Sequence, residues 1–284
     1  MKKFHFTKGL ILVSAIAMTS FCVAKVLDDS YTLKYNLKKN QTVEYAFTAE
    51  TETTQEIQGT ENTSNSNASA KMKMTSNGRT KDGKLSLILE YESFSIRMYN
   101  AMFDTTFSNP QGLIGKRIQK ILEDNGDQLK SVELDTIKLP TILGQGFTSQ
   151  QEILQNLPQM PIKVGETITN TDVDSVSRFG GTVVMKSSSK YTLLGTEEKS
   201  SHHCVKVKVA TSIEVKGDGA IQGMKFFIEG DGDIDGTFWF APKEGLLVSS
   251  QSQMDMESTA AITGQMSMTI PITQAVKTTI NLVE

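Results

Sequence analysis

His202-His203-Cys204-Val205-Lys206-Val207-Lys208-Val209 is the stretch that decides the fold. His203, Val205, Val207 and Val209 occupy every second position, and Cys204, Lys206 and Lys208 stand between them. Successive side chains of an extended chain point to opposite faces, so this alternation predicts a β-strand with one apolar face and one solvated face. The same pattern recurs in both directions along the chain. Met72 and Met74 alternate with Lys71 and Lys73, and Leu85, Leu87 and Leu89 alternate with Lys84, Ser86 and Ile88. Met266, Met268, Ile270 and Ile272 form another single-faced row. Between residues 117–123 and 128–134, Asp124-Asn125-Gly126-Asp127 predicts a hairpin, because Asn-Gly accepts the positive φ values of a tight turn. Pro242-Lys243-Glu244-Gly245 predicts a second one.

Helical signals are few. Ser149-Gln150-Gln151-Glu152 reads as a capping box before Ile153, Leu154 and Leu157, with Pro158 and Pro161 as stops. The expected fold is therefore mainly β, with large curved antiparallel sheets in two related lobes and one or two short helices. The expected boundaries are a signal peptide at 1–24, an N-terminal β lobe at 25–147, a short helical connector at 148–160 and a C-terminal β lobe at 161–284. Residues 59–69, polar and without periodicity, read as a mobile loop or frayed strand ends. The two halves open alike. Leu37-Lys38-Lys39-Asn40-Gln41-Thr42-Val43 leads into the first and Ile162-Lys163-Val164-Gly165-Glu166-Thr167-Ile168 into the second. Either a duplication or the common grammar of strand entry accounts for that likeness.

Lys2, Lys3 and Lys8 precede an apolar run from Gly9 to Ala17, and Cys22-Val23-Ala24 supplies small residues for cleavage. This is the pattern of a secretory signal, which places the mature chain, from Lys25, in the periplasm or outside the cell. The alternative, lipidation at Cys22, calls for a small residue where Phe21 stands. No later run is long and apolar enough to predict a transmembrane span. The 284-residue chain carries a net charge of −3, and removal of the three signal lysines takes it to −6. A mildly acidic chain without a basic block has little with which to neutralise phosphates, which argues against nucleic acid as a partner. Cys204 is the one thiol left after cleavage, so no internal disulfide is expected.

Several stretches together carry a family likeness: Tyr31–Tyr45 (YTLKYNLKKNQTVEY), Ile162–Ile168, Tyr191-Thr192-Leu193-Leu194-Gly195, and the glycine-spaced Gly230–Phe240 followed by Gly245-Leu246. In this order they resemble the exported bacterial β-proteins grouped as domain of unknown function 6263. The resemblance implies export and a β-fold. It implies no activity and no site residues, and Ile168 departs from the aromatic residue expected after the Gly-Glu-Thr turn.

Three groups of residues invite a chemical reading. Asp231-Gly232-Asp233-Ile234-Asp235-Gly236 has the opening of a calcium loop, but its twelfth position is Pro242 where a bidentate Glu is needed. The expectation is instead a solvated acidic strand face, with the glycines on the opposite face. Three Met-x-Met pairs, Met72/Met74, Met254/Met256 and Met266/Met268, each project two thioethers to one side of a strand. That spacing suits a soft copper ion, and it equally suits a pliant apolar lining. His202 and His203 face opposite ways and do not readily bind one ion together. The expected set of ligand-lining residues is Met72, Met74, Phe226, Phe238, Met254, Met256, Met266 and Met268. No catalytic triad, metal motif or phosphate loop accompanies them, so no catalytic residue, metal ligand or cofactor is expected. These readings converge on a non-enzymatic envelope protein binding an apolar small molecule or lipid-like ligand. A structural protein pairing its strand edges with another envelope protein is the first alternative, and copper binding through the Met pairs is the second.

Overall fold

The computed structural model describes residues 30–110, 112–138, 154–178, 181–221, 224–264 and 267–283. The signal segment, Ser149–Ile153 of the expected helix, and Met266 lie outside them. The first half contributes β1 (Ser30–Tyr31), β2 (Thr42–Ile57), β3 (Thr60–Arg79), β4 (Leu85–Asn100), β5 (Asp104–Ser108), β6 (Arg117–Leu122) and β7 (Gln128–Glu133). The second contributes β8 (Ile162–Lys163), β9 (Thr167–Arg178), β10 (Gly181–Lys199), β11 (His202–Ile221), β12 (Met224–Ala241), β13 (Leu246–Thr263) and β14 (Met268–Val283). Both predicted hairpins are present, β6 turning into β7 at 123–127 and β12 into β13 at 242–245.

Two separate lobes are not seen. One antiparallel sheet runs β7-β6-β4-β3-β2-β14-β13-β12-β11-β10-β9, with β5 beside β4, and the halves are joined where β14 pairs with β2. Nor is the connector helical among the described residues, since Leu154–Pro158 has no regular structure. The Leu154/Leu157 spacing that predicted a helix instead presents both residues to the core, where Leu157 is fully buried and Leu154 packs against its edge. Residues 60–69 are strand as well, paired with β2 throughout. Their polarity reflects a strand end solvated on both faces, held by backbone pairing and by the Thr54–Thr63 hydroxyl pair at 2.9 Å. Among the described residues no helix is long and apolar enough to cross a membrane.

Alternation decides which face of the sheet turns inward. Val205, Val207 and Val209 are buried, and register places them beside Phe240, Phe238 and Gly236 of β12. The glycines of β12 fall on this inner face and its aspartates on the outer one, as the sequence predicted. Without Cβ atoms at 230, 232 and 236 the flanking strands can lean toward each other, which lets a long sheet curl. Curl brings both edges of the sheet to one core. Leu85 and Ile118 from one side and Ile168 and Tyr191 from the other belong to the same buried cluster. The segment after β1 closes the base of the roll. Leu33, Tyr35 and Leu37 are buried, the Tyr35 amide donates to the Asp124 carbonyl, and the Asn36 amide donates to that of Gly245. The Tyr35 ring meets Phe240 edge-on at 5.4 Å, and its hydroxyl donates to the Gln155 carbonyl at 2.8 Å.

The two openings are the same turn built twice. Asn40 (φ 65°) and Gly165 (φ 80°) occupy its left-handed position. The Lys38 amide donates to Gln41 Oε1 at 2.9 Å, and the Lys163 amide to Glu166 Oε2 at 2.8 Å. Thr42 pairs its hydroxyl with Thr75, and Thr167 pairs with Thr192. One residue on, the Asn40 amide donates to Ser76 and the Gly165 amide to Leu193. Each second strand then breaks register at the matching place, Ser76/Gly78 in β3 and Leu193/Gly195 in β10. Strand-entry grammar does not require the second strand to agree, so these matches favour a structural repeat.

Candidate functional site

The curled sheet forms a half-open cavity of about 540 Å³ above the packed base. Its apolar wall comes from Phe47 and Ala49 of β2, Phe94 of β4, Ile213 of β11, Ile234 of β12, and Val276 and Ile280 of β14. Each lies on the inner face because the register of its strand keeps it in line with the buried residues below, as Ile280 opposite Phe47 and Ser250 illustrates. A polar margin comes from Asn170, Asp172 and Asp174 of β9, Ser187 and Ser189 of β10, Asp127 ahead of β7, and Gln155. Long strands continue this inner face beyond the cavity as a half-buried apolar surface that includes Ile228, Ile262, Ile270 and Ile272. The size and mixed lining are those of a small-molecule pocket.

The eight residues expected to line a site do not come together. Met72 lines the cavity, while Met74 is buried beneath it around a small void of about 20 Å³ shared with Lys120, Gln128 and Leu154. Phe238 is fully buried in the base and reaches no open space. Met254 stands next to Ile234 and Val276 on the inner face, and Met256 lies opposite Gly232. Phe226 and Met268 sit further out, both facing Ile262 across their strand pairs. These four are half-buried on the rim because the sheet is longer than the core that fills it. Met266 is outside the described residues. The alternation in β11, followed past Val209 to Thr211 and Ile213, carried the signal for the wall that was missed.

The Met pairs are too far apart to share one ion. Met72 is level with Tyr45 on β2, and Met254 is level with Thr51 through Val276. Six residues of strand separate those levels, about 20 Å at ~3.3 Å per residue. Among the described residues no three of His, Cys, Asp and Glu gather as a metal site. His203 is exposed with Nδ1 3.1 Å from Glu198. Cys204 is buried on the outer side of the sheet with Trp239, Leu246 and Val248. Burial, followed by the charges of Glu244, Glu198 and Glu197, pushes its thiol up to about 11, so it is a packing residue and not a nucleophile. Trp239 over it donates to Glu197, between the ammonium groups of Lys199 and Lys206 at 4.5 and 5.1 Å from the ring centre. Asp231, Asp233 and Asp235 are exposed on the outer face, where Ser212 donates to Asp233 at 2.9 Å. Their loop reading fails because the segment is the middle of β12.

The electrostatics of the cavity are one-sided. Asp127, Asp172 and Asp174 line it, and among the described residues no Lys, Arg or His does. Asp172 accepts its own neighbour's amide, from Val173 at 2.8 Å, and Asp127 accepts from the Asn125 side chain at 2.7 Å. The Asp174 carboxyl is raised above its ordinary value, first by burial and then by the charges of Asp172 and Asp127. Neither protein-family models nor curated proteins nor solved structures yield a match to this chain.

Proposed function

We propose that the protein is a non-enzymatic carrier of an apolar, lipid-like ligand in the bacterial envelope, exported by its N-terminal signal. The observation that carries this reading is the 540 Å³ cavity, with Phe47, Phe94, Ile213 and Ile234 facing inward around it. Filling such space with a ligand removes apolar surface from water at about 25 cal/mol per Å². The half-buried row beyond the cavity gives a long chain somewhere to continue. Methionines on that rim can repack around chains of different shape. A second reading, pairing with another envelope protein, draws on β9, which has β10 on one side and presents Val173 to solvent.

The test is displacement of an environment-sensitive fluorescent lipid from the mature protein, with native mass spectrometry of material purified without detergent. Ile213→Trp and Ile234→Trp, which fill the cavity, are expected to weaken binding more than tenfold with the circular dichroism spectrum unchanged. Full affinity in both variants would exclude the cavity as the site.

A further inference from the structure

Resting on the carrier reading, we propose that the cavity is selective for an amphiphile with a cationic head, an alkyl ammonium in its simplest form, and against fatty acids. The cavity has two chemically distinct sides. Across the curl from Phe47, Phe94 and Ile234, the β9 margin presents Asp172 and Asp174 on one strand face, and Asp127 reaches the same space from the opposite edge of the sheet. These carboxylates come from separate parts of the chain, and their convergence is produced by the roll itself. No ion pair reaches Asp127, Asp172 or Asp174 among the described residues, although the sheet makes such pairs elsewhere, as Arg97 does with Asp104 and Arg117 with Asp135. Lys120, a buried cation, sits beneath the cavity, where its ammonium donates to Gln128 at 2.6 Å.

An ammonium group has three donors and no acceptor, so it matches a margin of carboxylates and hydroxyls. Asp172 and Asp174 can each take one donor, and Ser187, directly opposite Asp172 in register, supplies a further oxygen. A carboxylate head in the same place would bring a fourth negative charge against three and find no cation in the lining among the described residues. The alkyl chain would run along Ile213 and Ile234 toward Met254, so chain and head are read by different walls.

The experiment compares three chain-matched probes on the mature full-length protein at pH 7 and low ionic strength: dodecylamine, dodecanol and dodecanoate, each below its aggregation concentration. The expected order is amine, alcohol, acid, with the amine at least tenfold tighter than the acid. Added salt and the Asp172→Asn/Asp174→Asn double variant should both collapse that preference, read as the ratio of amine to acid affinity. Equal affinities for amine and acid, or tighter binding of the acid, would overturn the charge selection and leave the apolar carrier intact. A preference that survives the double variant would also overturn it. Failure of dodecanol and both charged probes alike would remove the carrier reading itself, and the selection with it.

Discussion

The Tyr45 hydroxyl donates to the Leu247 carbonyl at 2.8 Å, joining residues 202 positions apart in the buried base of the roll. Tyr45 is 1% exposed, and burial holds its phenol well above the ordinary range, so it stays a donor at any pH the fold survives. The bond crosses the strands that unite the halves, β2, β14 and β13. Tyr45→Phe leaves that carbonyl without its side-chain donor and should cost about 1–2 kcal/mol. Urea unfolding should show a lower midpoint at unchanged slope, because the exposed surface does not change.

Curvature is testable at Gly232. A Cβ there would lie 2.6 Å from the Asp255 carbonyl oxygen and 3.1 Å from Met256 Cβ. The first contact is with backbone, which cannot swing aside, so Gly232→Val must flatten or split β12 from β13. We expect a loss of about 1–3 kcal/mol. Thr237→Val on the outer face of the same strand should stay within about 0.5 kcal/mol.

Much of this was legible in local pattern, and the limits have physical causes. Alternation in 205–209 assigned faces correctly, although Cys204 on the outer face is buried with Trp239 and His203 is exposed. The turn chemistry of Asn125-Gly126 and Gly245 placed both hairpins, because each depends on a few adjacent residues. The union of the halves depends on Thr42–Ile57 meeting Met268–Val283, a non-local choice that neither strand announces. The described Met residues, Met72, Met74, Met254, Met256 and Met268, lie on the inner face, but alternation carries no information on height along the strand. Phe238 at the base and Phe226 at the rim therefore looked equivalent. Asp172 and Asp174 stand at alternate positions of one strand, and no local pattern announces that the curl brings Asp127, from the other edge of the sheet, to the same cavity.

The repeated turn predicts that its two left-handed positions are interchangeable. Gly165 has no atom within 4 Å of a Cβ placed on it, so only its positive φ restricts substitution. Gly165→Asn should cost a few tenths of a kcal/mol, and Gly165→Val about 1–2 kcal/mol. Asn40→Gly should be close to neutral. Thermal unfolding of the three variants checks this, and equal losses for Asn and Val at 165 would contradict the shared geometry.

Cys204 should be silent toward thiol reagents while the protein is folded. With its thiol at about 11, roughly one molecule in a thousand is thiolate at pH 8, and the sulfur is shielded as well. A colorimetric disulfide reagent should label it only as fast as the sheet opens, and stoichiometrically once urea unfolds the chain. Rapid labelling of the native protein would mean that the cluster with Trp239 and Val248 is not closed in solution.

Two aspartates should respond to pH and to substitution with opposite signs. Hydrogen bonds from the Arg117 side chain and amide hold the Asp135 carboxyl down at about 2, below its value in an unfolded chain. The stability it contributes is present above the unfolded value and is lost as pH falls through about 2. Asp174 is raised, so its ionised form is disfavoured in the fold. Lowering pH from neutral through its folded and then its unfolded value relieves a cost that is fully present only above both. Both side chains are solvated, so the effects are small. At pH 7 Asp135→Asn should lower the melting temperature slightly, and Asp174→Asn should raise it slightly. The second change should also weaken alkyl-ammonium binding, because it removes one of the three negative charges that face a cationic head. A melting temperature that falls for Asp174→Asn would mean that its charge is already compensated within the fold, leaving nothing for a ligand to neutralise.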